Sequence, residues 1–256
     1  MKLLEGKRGV VFGVANDHSL GWHIARSAAL NGARVGLNYH DDRLLRRVRP
    51  LADQIQAAFL APCDVADEAA VEAFFERAAD VFEGQLDFLV HSVAFVDRAD
   101  LLGRFVDTSR AGHALALDVS AYSLTALTRR AGPLMAGGGS VLTLTYYGAE
   151  KAMPGYNVMG VAKAALEASV RYLAADLGPA SVRVNAISAG PVRTLAAAGI
   201  PGYREMLKAT AERTPLRRNV TGSEVGDAAV FLLSDLSSAI TGEVLHVDCG
   251  YHAVGV

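Results

Sequence analysis

One doubly wound α/β domain is the fold this sequence predicts: a parallel sheet of about seven strands with helices on both faces. Three observations predict it. Short runs rich in β-branched and aromatic residues alternate with longer stretches of helical spacing. Glycines follow several of the helical stretches, where a left-handed residue is wanted. The 256 residues are 51% hydrophobic and 20% charged, a mixture that buries a large core and excludes a disordered or collagen-like chain. Strand, helix, strand, helix implies right-handed crossovers, and so a parallel sheet covered on both sides.

The predicted strands are, in order, residues 9–12, 33–39, 58–61, 88–91, 140–145, 182–187 and 244–247. Predicted helices lie at 24–30, 69–82, 121–135, 156–177 and 223–233. A further helix follows the second strand, and Pro50 is expected to kink or bound it, because proline lacks the donor a helix interior needs. Gly32, Gly84 and Gly178 are expected to close helices in the left-handed conformation. Asp67, and Thr221 or Ser223, are the candidate N-caps. The stretch from Gly190 to Arg218 breaks the rhythm with Pro191, Gly199, Pro201, Gly202 and Pro215, around a short helical piece near Tyr203–Arg213. An insertion of that length in a compact domain is expected to carry function. Residues 191–218 therefore read as a substrate-covering lobe, set before the last helix and strand of one domain spanning 1–256.

Other classes are excluded by composition. There are 25 basic and 27 acidic residues, a net charge of −2, so no basic excess marks nucleic acid or an anionic membrane as partner. Apolar runs fall short of the ~18 residues a membrane helix needs. Glu5, Lys7 and Arg8 arrive before any secretory apolar region forms, so a soluble cytoplasmic protein is expected. Cys63 and Cys249 read as small buried residues. No metal site is expected.

The first strand runs into Gly13-Val14-Ala15-Asn16-Asp17-His18-Ser19-Leu20-Gly21 and then a helix. A helix N-terminus at the carboxyl end of a parallel sheet offers unpaired N–H groups and partial positive charge to a pyrophosphate. Asn38 to Asp42 closes the second strand, where an acidic group would hold an adenosine ribose. Cys63-Asp64-Val65 follows the third strand, where a short polar side chain could read an adenine edge. Ser92-Val93-Ala94 ends the fourth, where small residues let a cofactor pass. Each is ordinary turn chemistry alone; together, in this order, they predict a Rossmann-type dinucleotide site. Asp41 and Asp42 argue against a 2′-phosphate, whereas Arg43, Arg46 and Arg47 could accept one.

Tyr156 and Lys163 are seven apart, about two helical turns, and share a face. Pro154-Gly155 just ahead suits a helix start. Tyr146 ends the preceding strand near the same mouth. A second pair competes: Tyr147 and Lys151 have the Tyr-x-x-x-Lys spacing of carbonyl-reducing short-chain dehydrogenases. Gly148 and Pro154-Gly155 make poor helix there, so Lys151 reads as a solvated loop lysine.

The chain resembles the enoyl-(acyl-carrier-protein) reductases of bacterial type II fatty-acid synthesis, the divergent short-chain dehydrogenase class called FabI. The resemblance spans the whole chain. It rests on Gly13-Val14-Ala15 with Ser19, Cys63-Asp64-Val65, Tyr146-Tyr147-Gly148-Ala149-Glu150, Tyr156-Asn157-Val158-Met159-Gly160 with Ala162-Lys163, and Arg183 through Pro191. It implies NADH as the usual donor, with NADPH as the alternative, and a homotetramer acting on enoyl thioesters of acyl-carrier protein. By this analogy Tyr156 donates to the thioester oxygen, Lys163 holds the nicotinamide ribose and Tyr146 assists. Gly13, Ser19, Leu20, Asp64, Val65, Ser92, Val93, Val192 and Thr194 would line the cofactor. Phe95, Met159, Tyr203 and Met206 would border the acyl group, under a substrate loop from Thr194 to Met206. The family often has Gln where this chain has His40, which leaves the adenosine contact and the nucleotide preference open. Arg193, Arg204 and Lys208 could meet the acidic carrier. Two further readings are a keto-group reductase using Tyr147 and Lys151, and a nucleotide-binding redox sensor without turnover.

Overall fold

The computed structural model describes residues 2–192, 194 and 203–254. Its seven strands are β1 (Arg8–Phe12), β2 (Arg34–Tyr39), β3 (Phe59–Pro62), β4 (Phe88–His91), β5 (Gly139–Thr145), β6 (Val182–Ala189) and β7 (Val244–Val247). They form one parallel sheet in the order β3-β2-β1-β4-β5-β6-β7. The helices are α1 (Leu20–Leu30), α2 (Asp42–Gln54), α3 (Glu68–Val81), α4 (Arg98–Leu101), α5 (Arg110–Leu117), α6 (Ser123–Ala131), α7 (Asn157–Leu177), α8 (Tyr203–Arg213) and α9 (Gly222–Leu233).

Alternation along each strand builds a core on each face. In β1, Val11 joins Trp22, Ile24, Leu37, Leu142 and Val225 on one side. Its neighbours Val10 and Phe12 join Phe59, Phe74, Leu127 and Leu166 on the other. Phe12 and Phe59 both pack tilted on Phe74, with ring centroids 4.6 and 5.2 Å away. A third, smaller cluster of Leu101, Ala116, Val158, Met159 and Ala162 sits under Tyr156.

Local signals explain most helix ends. Asp67 caps α3 by accepting from the Ala69 and Ala70 amides. Of the two candidates at α9, Thr221 is the cap, in a reciprocal box with Glu224. Gly32 and Gly84 are left-handed, at φ +95° and +74°.

Three expectations need correction. No boundary falls at Pro50, and α2 runs through it to Gln54. Pro50 and Arg46, whose carbonyl it cannot bond, are both exposed, so water can replace the missing donor. Gly178 is not left-handed: a 3₁₀ turn, Gly178–Ala180, extends α7, and Ser181 takes the left-handed position at φ +60°. The single helix expected over 121–135 is divided. A π-helical turn, Asp118–Tyr122, precedes α6, and a 3₁₀ turn, Gly132–Leu134, follows it. Ser123 in α6 bonds back to the Val119 carbonyl, a side-chain competitor for the helical ladder.

Candidate active site

All seven strands are parallel, so their carboxyl ends share one edge, and the order reverses between β1 and β4. Ligands of open α/β sheets bind at that switch point. Gly13 leaves β1 at φ +92°, and a Cβ there would lie 1.9 Å from the Ser92 carbonyl oxygen. Only glycine lets the chain turn so close to the end of β4. The Gly13 amide donates to Asn38 Oδ1 at 3.0 Å, and Asn38 Nδ2 donates to the Cys63 carbonyl at 3.1 Å. One buried asparagine thus ties together the ends of β1, β2 and β3.

Ser19 stands at the N-cap of α1 without capping it. Its hydroxyl turns back, donating to the Asn16 carbonyl at 2.6 Å and accepting from the Ala15 amide at 3.3 Å. The N-terminus of α1, beginning at Leu20, therefore faces the crevice without a side-chain cap. A glycine cradle with no room for a Cβ and an uncapped helix N-terminus fit a dinucleotide pyrophosphate.

Beside the cradle, Asp64 Oδ1 accepts from the Ala66 amide at 3.0 Å and lies 3.8 Å from Nδ1 of the exposed His40. Asp41 caps α2 through the Leu44 amide at 2.9 Å and meets Arg43 at 3.4 Å. Arg46 and Arg47 are exposed, and Ser92 and Val93 are half-buried past β4. Cys63 is buried, and desolvation pushes its thiol up to about 12, with Asp64 and Asp67 adding; it is the inert residue expected.

The reacting end forms where α7 meets β5. Tyr156 immediately precedes α7, and its ring stands edge-on to Tyr146, centroids 4.9 Å apart at 69°. Gly148 makes this possible: a Cβ there would lie 2.4 Å from the Tyr156 ring and 3.2 Å from that of Tyr146. Lys163 is buried and donates to the Leu144 carbonyl at 2.8 Å. Desolvation lowers its pKa to about 8, against the opposing charge of Glu167. Burial pushes the Tyr156 phenol well above its ordinary range, reinforced by Tyr146 and then Glu167, so it stays protonated at neutral pH.

The Tyr146 hydroxyl lies 3.9 Å from Met206 Sδ, which brings α8 to the same place. Met159 is buried in the cluster under Tyr156. Phe95 is half exposed, its backbone held at both amide and carbonyl by Ser120 Oγ, at 3.0 and 3.1 Å. Val192 and Thr194, beyond β6, are half-buried. Tyr203 opens α8, but its side chain, that of Arg204, and Arg193 lie outside the described residues, as does most of the 194–206 loop. In the competing pair, Tyr147 sits in a 3₁₀ turn, edge-on to Tyr251 at 5.8 Å and His246 at 6.3 Å, and Lys151 follows one turn later, its amide donating to the Tyr147 carbonyl at 3.0 Å and its side chain exposed.

Asn38 and His91 escape a sequence reading that looks for reactive groups. The signal for both was a polar side chain in a parallel strand buried on both faces, where apolar runs are the rule. His91 has no exposed surface and lies 2.8 Å from both Thr143 Oγ1 and Ser123 Oγ. Desolvation, then Lys163, lowers its pKa to about 3, so the ring is neutral and carries one N–H. Ser123 donates to the Val119 carbonyl at 2.7 Å and Thr143 to the His91 carbonyl at 3.2 Å, so each hydroxyl has a lone pair for the single ring N–H. The ring ties β4 to β5 and α6 behind Lys163.

A doubly wound sheet with this cradle, and with a tyrosine at the start of the helix after β5 and a lysine within it, defines a nucleotide-dependent reductase of the short-chain dehydrogenase type. Residues 13–252 match the family described as Enoyl-(Acyl carrier protein) reductase. The chain is 55% identical to enoyl-(acyl-carrier-protein) reductase (NADH) 1 of Rhizobium meliloti, over 99% of this chain and 93% of that one. It superposes with TM-score 0.96 and 54% identity on the enzyme from Anaplasma phagocytophilum in complex with NAD, covering 99% of this chain and 97% of that one. The Bacillus cereus reductase with NADP+ and indole naphthyridinone gives 0.97 at 52% identity, with both chains covered fully. The chain belongs to the enoyl-(acyl-carrier-protein) reductase family, in its FabI class.

Proposed function

We propose that this protein reduces the trans-2 double bond of enoyl thioesters carried by acyl-carrier protein, with NADH as donor, in fatty-acid elongation. The observation that carries the reading is the Tyr146–Tyr156 edge-on pair, with Lys163 buried on α7, the helix that Tyr156 opens. Bound NADH supplies the hydride to the carbon β to the thioester. Negative charge then develops on the thioester oxygen, and the Tyr156 phenol, neutral and desolvated, is the donor placed to meet it. An ammonium has three N–H donors. Lys163 gives one to Leu144, and the other two suit the nicotinamide ribose hydroxyls. Tyr146 packs on Tyr156, and with Phe95 and Met206 borders the acyl group, under a lobe of residues 191–218. Gly13, Ser19, Leu20, His40, Asp64, Val65, Ser92, Val93, Val192 and Thr194 form the nucleotide side.

Acyl-carrier protein docks beside α8, where Lys208 is exposed. Lys208→Glu should raise KM for acyl-carrier substrates and leave acyl-CoA reduction unchanged; equal effects on both refute the contact. A cytoplasmic homotetramer is the expected state. Among the described residues no helix is long and apolar enough to cross a membrane. Exposed Phe105, Val106, Tyr122 and Tyr172 are apolar surface that assembly would cover. Tyr156→Phe against Tyr147→Phe tests the chemistry. The first should lower kcat with an enoyl thioester by roughly 10²-fold or more, as loss of one such donor does. The second should not; the reverse result moves the reaction to Tyr147 and Lys151.

A further inference from the structure

One buried carboxyl close to the reacting groups has no part in the chemistry described. Glu167 lies on α7, one turn beyond Lys163, with 9% of its surface exposed. Its Oε1 accepts from the Thr145 hydroxyl at 2.7 Å, and that hydroxyl is itself buried. Leu144, Thr145 and Tyr146 are the consecutive residues that finish β5 and enter the site. Each meets α7 or its N-terminus. The Leu144 carbonyl accepts from Lys163, Thr145 donates to Glu167, and the Tyr146 ring packs on Tyr156. The middle bond of the three is the one made to a carboxylate, and charge-assisted hydrogen bonds are the stronger kind.

We propose that Glu167 is a positioning residue for the reduction: its carboxylate fixes Thr145, and through it the strand end that presents Tyr146, and its charge keeps the neighbouring Lys163 an ammonium. This rests on the assignment of Lys163 and Tyr156 to the reaction. Five charged or titratable groups bear on Glu167, and one is Tyr156, whose phenol the Glu167 charge helps to hold protonated. Lys163 and Arg171 stand one turn to either side on α7, Glu150 comes from the turn after β5, and His246 comes from β7. Glu150 Oε1 lies 2.7 Å from His246 Nε2, so that carboxylate has its own partner. Burial first, and then Glu150, raise the pKa of Glu167, while the Thr145 hydrogen bond, His246 and Arg171 oppose the rise. Lys163 loses basicity by burial and regains part of it from Glu167. Removing the Glu167 charge therefore moves Lys163 further down, toward the neutral amine, at the pH where the enzyme works.

Glu167→Gln keeps an acceptor for Thr145 and removes the charge. Two readouts follow it: the pH profile of kcat/KM with an enoyl thioester, and the titration of the Lys163 side chain by 13C NMR in the nucleotide-free protein, assigned by its loss in Lys163→Met. The expected result is an alkaline limb moved down by roughly one pH unit, with the Lys163 titration moved in step. A folded Glu167→Gln protein whose limb and Lys163 titration both stay in place overturns the proposal. A Lys163 titration that moves while the limb stays overturns instead the role of Lys163 in the reaction. If Glu167→Gln does not fold, Thr145→Val and Thr145→Ser decide. The valine variant should lose roughly tenfold in kcat with KM for NADH unchanged, and serine should restore it. Equal activity in both variants, or a loss that serine does not repair, overturns it.

Discussion

Replacing Gly148 by alanine tests how tightly the two phenols are placed. The added Cβ would stand 2.4 and 2.8 Å from Tyr156 ring carbons and 3.2 Å from a Tyr146 ring carbon. Carbon atoms settle at ~3.5–4.0 Å, so the Tyr156 ring must retreat by roughly 1 Å. Gly148 is not in the left-handed region, so alanine brings no backbone strain of its own and the effect is steric. Misplacing a reacting group by ~1 Å costs about 10²-fold in rate. Overpacking costs ~1–3 kcal/mol of stability, which for a chain of this size lowers Tm by roughly 2–6 °C. The assay is NADH oxidation with an enoyl thioester, beside NADH binding by fluorescence and a thermal melt. The expected Gly148→Ala enzyme is folded, binds NADH as the parent does, and has kcat about 10²-fold lower. A folded variant with parental kcat refutes the argument that Tyr156 acts from this position.

Two further outcomes follow from the same geometry. Asn38→Ala leaves the Gly13 amide without its acceptor and the Cys63 carbonyl without its donor, each worth ~1–3 kcal/mol when buried; NADH should bind more weakly and Tm should fall, and unchanged binding would show that the cradle holds without the clamp. His91 is neutral in the fold, with its pKa near 3, and titrates near 6.5 when unfolded, so between those values unfolding takes up a proton. Its contribution is complete above pH 6.5 and declines as pH falls, by about 1.4 kcal/mol per pH unit, or about 2 kcal/mol at pH 5. Urea melts of parent and His91→Gln should differ in pH slope by one proton over that range; parallel slopes would contradict a buried neutral imidazole.

The sheet was legible because its strands are short apolar runs set off by glycines, and a parallel strand buried on both faces leaves that imprint. The residues proposed to react could also be named from the sequence: Tyr146, Tyr156 and Lys163 lie within eighteen residues of chain, and helical spacing groups the last two. The groups that hold them could not. Asn38 bridges to Gly13 and Cys63, each 25 residues away in the chain, and His91 to Thr143, 52 away. Sequence spacing carries no record of such contacts until the strand order is known. Local competition also accompanies a break: Ser123 reads as an ordinary residue of the helix expected over 121–135, yet its hydroxyl donates to the Val119 carbonyl next to a π-helical turn. Pro50 sets no boundary in α2, since a helix face open to water tolerates a missing donor.

The central claim is that Tyr156 and Lys163 serve reduction of a carbon–carbon double bond, not of a carbonyl. The direct measurement is loss of NADH absorbance with crotonyl-CoA beside acetoacetyl-CoA, for the parent and Tyr156→Phe. NADH oxidation is expected with the enoyl substrate alone, and it should be lost in the variant. Oxidation with the keto substrate alone, undiminished in Tyr156→Phe, would contradict it.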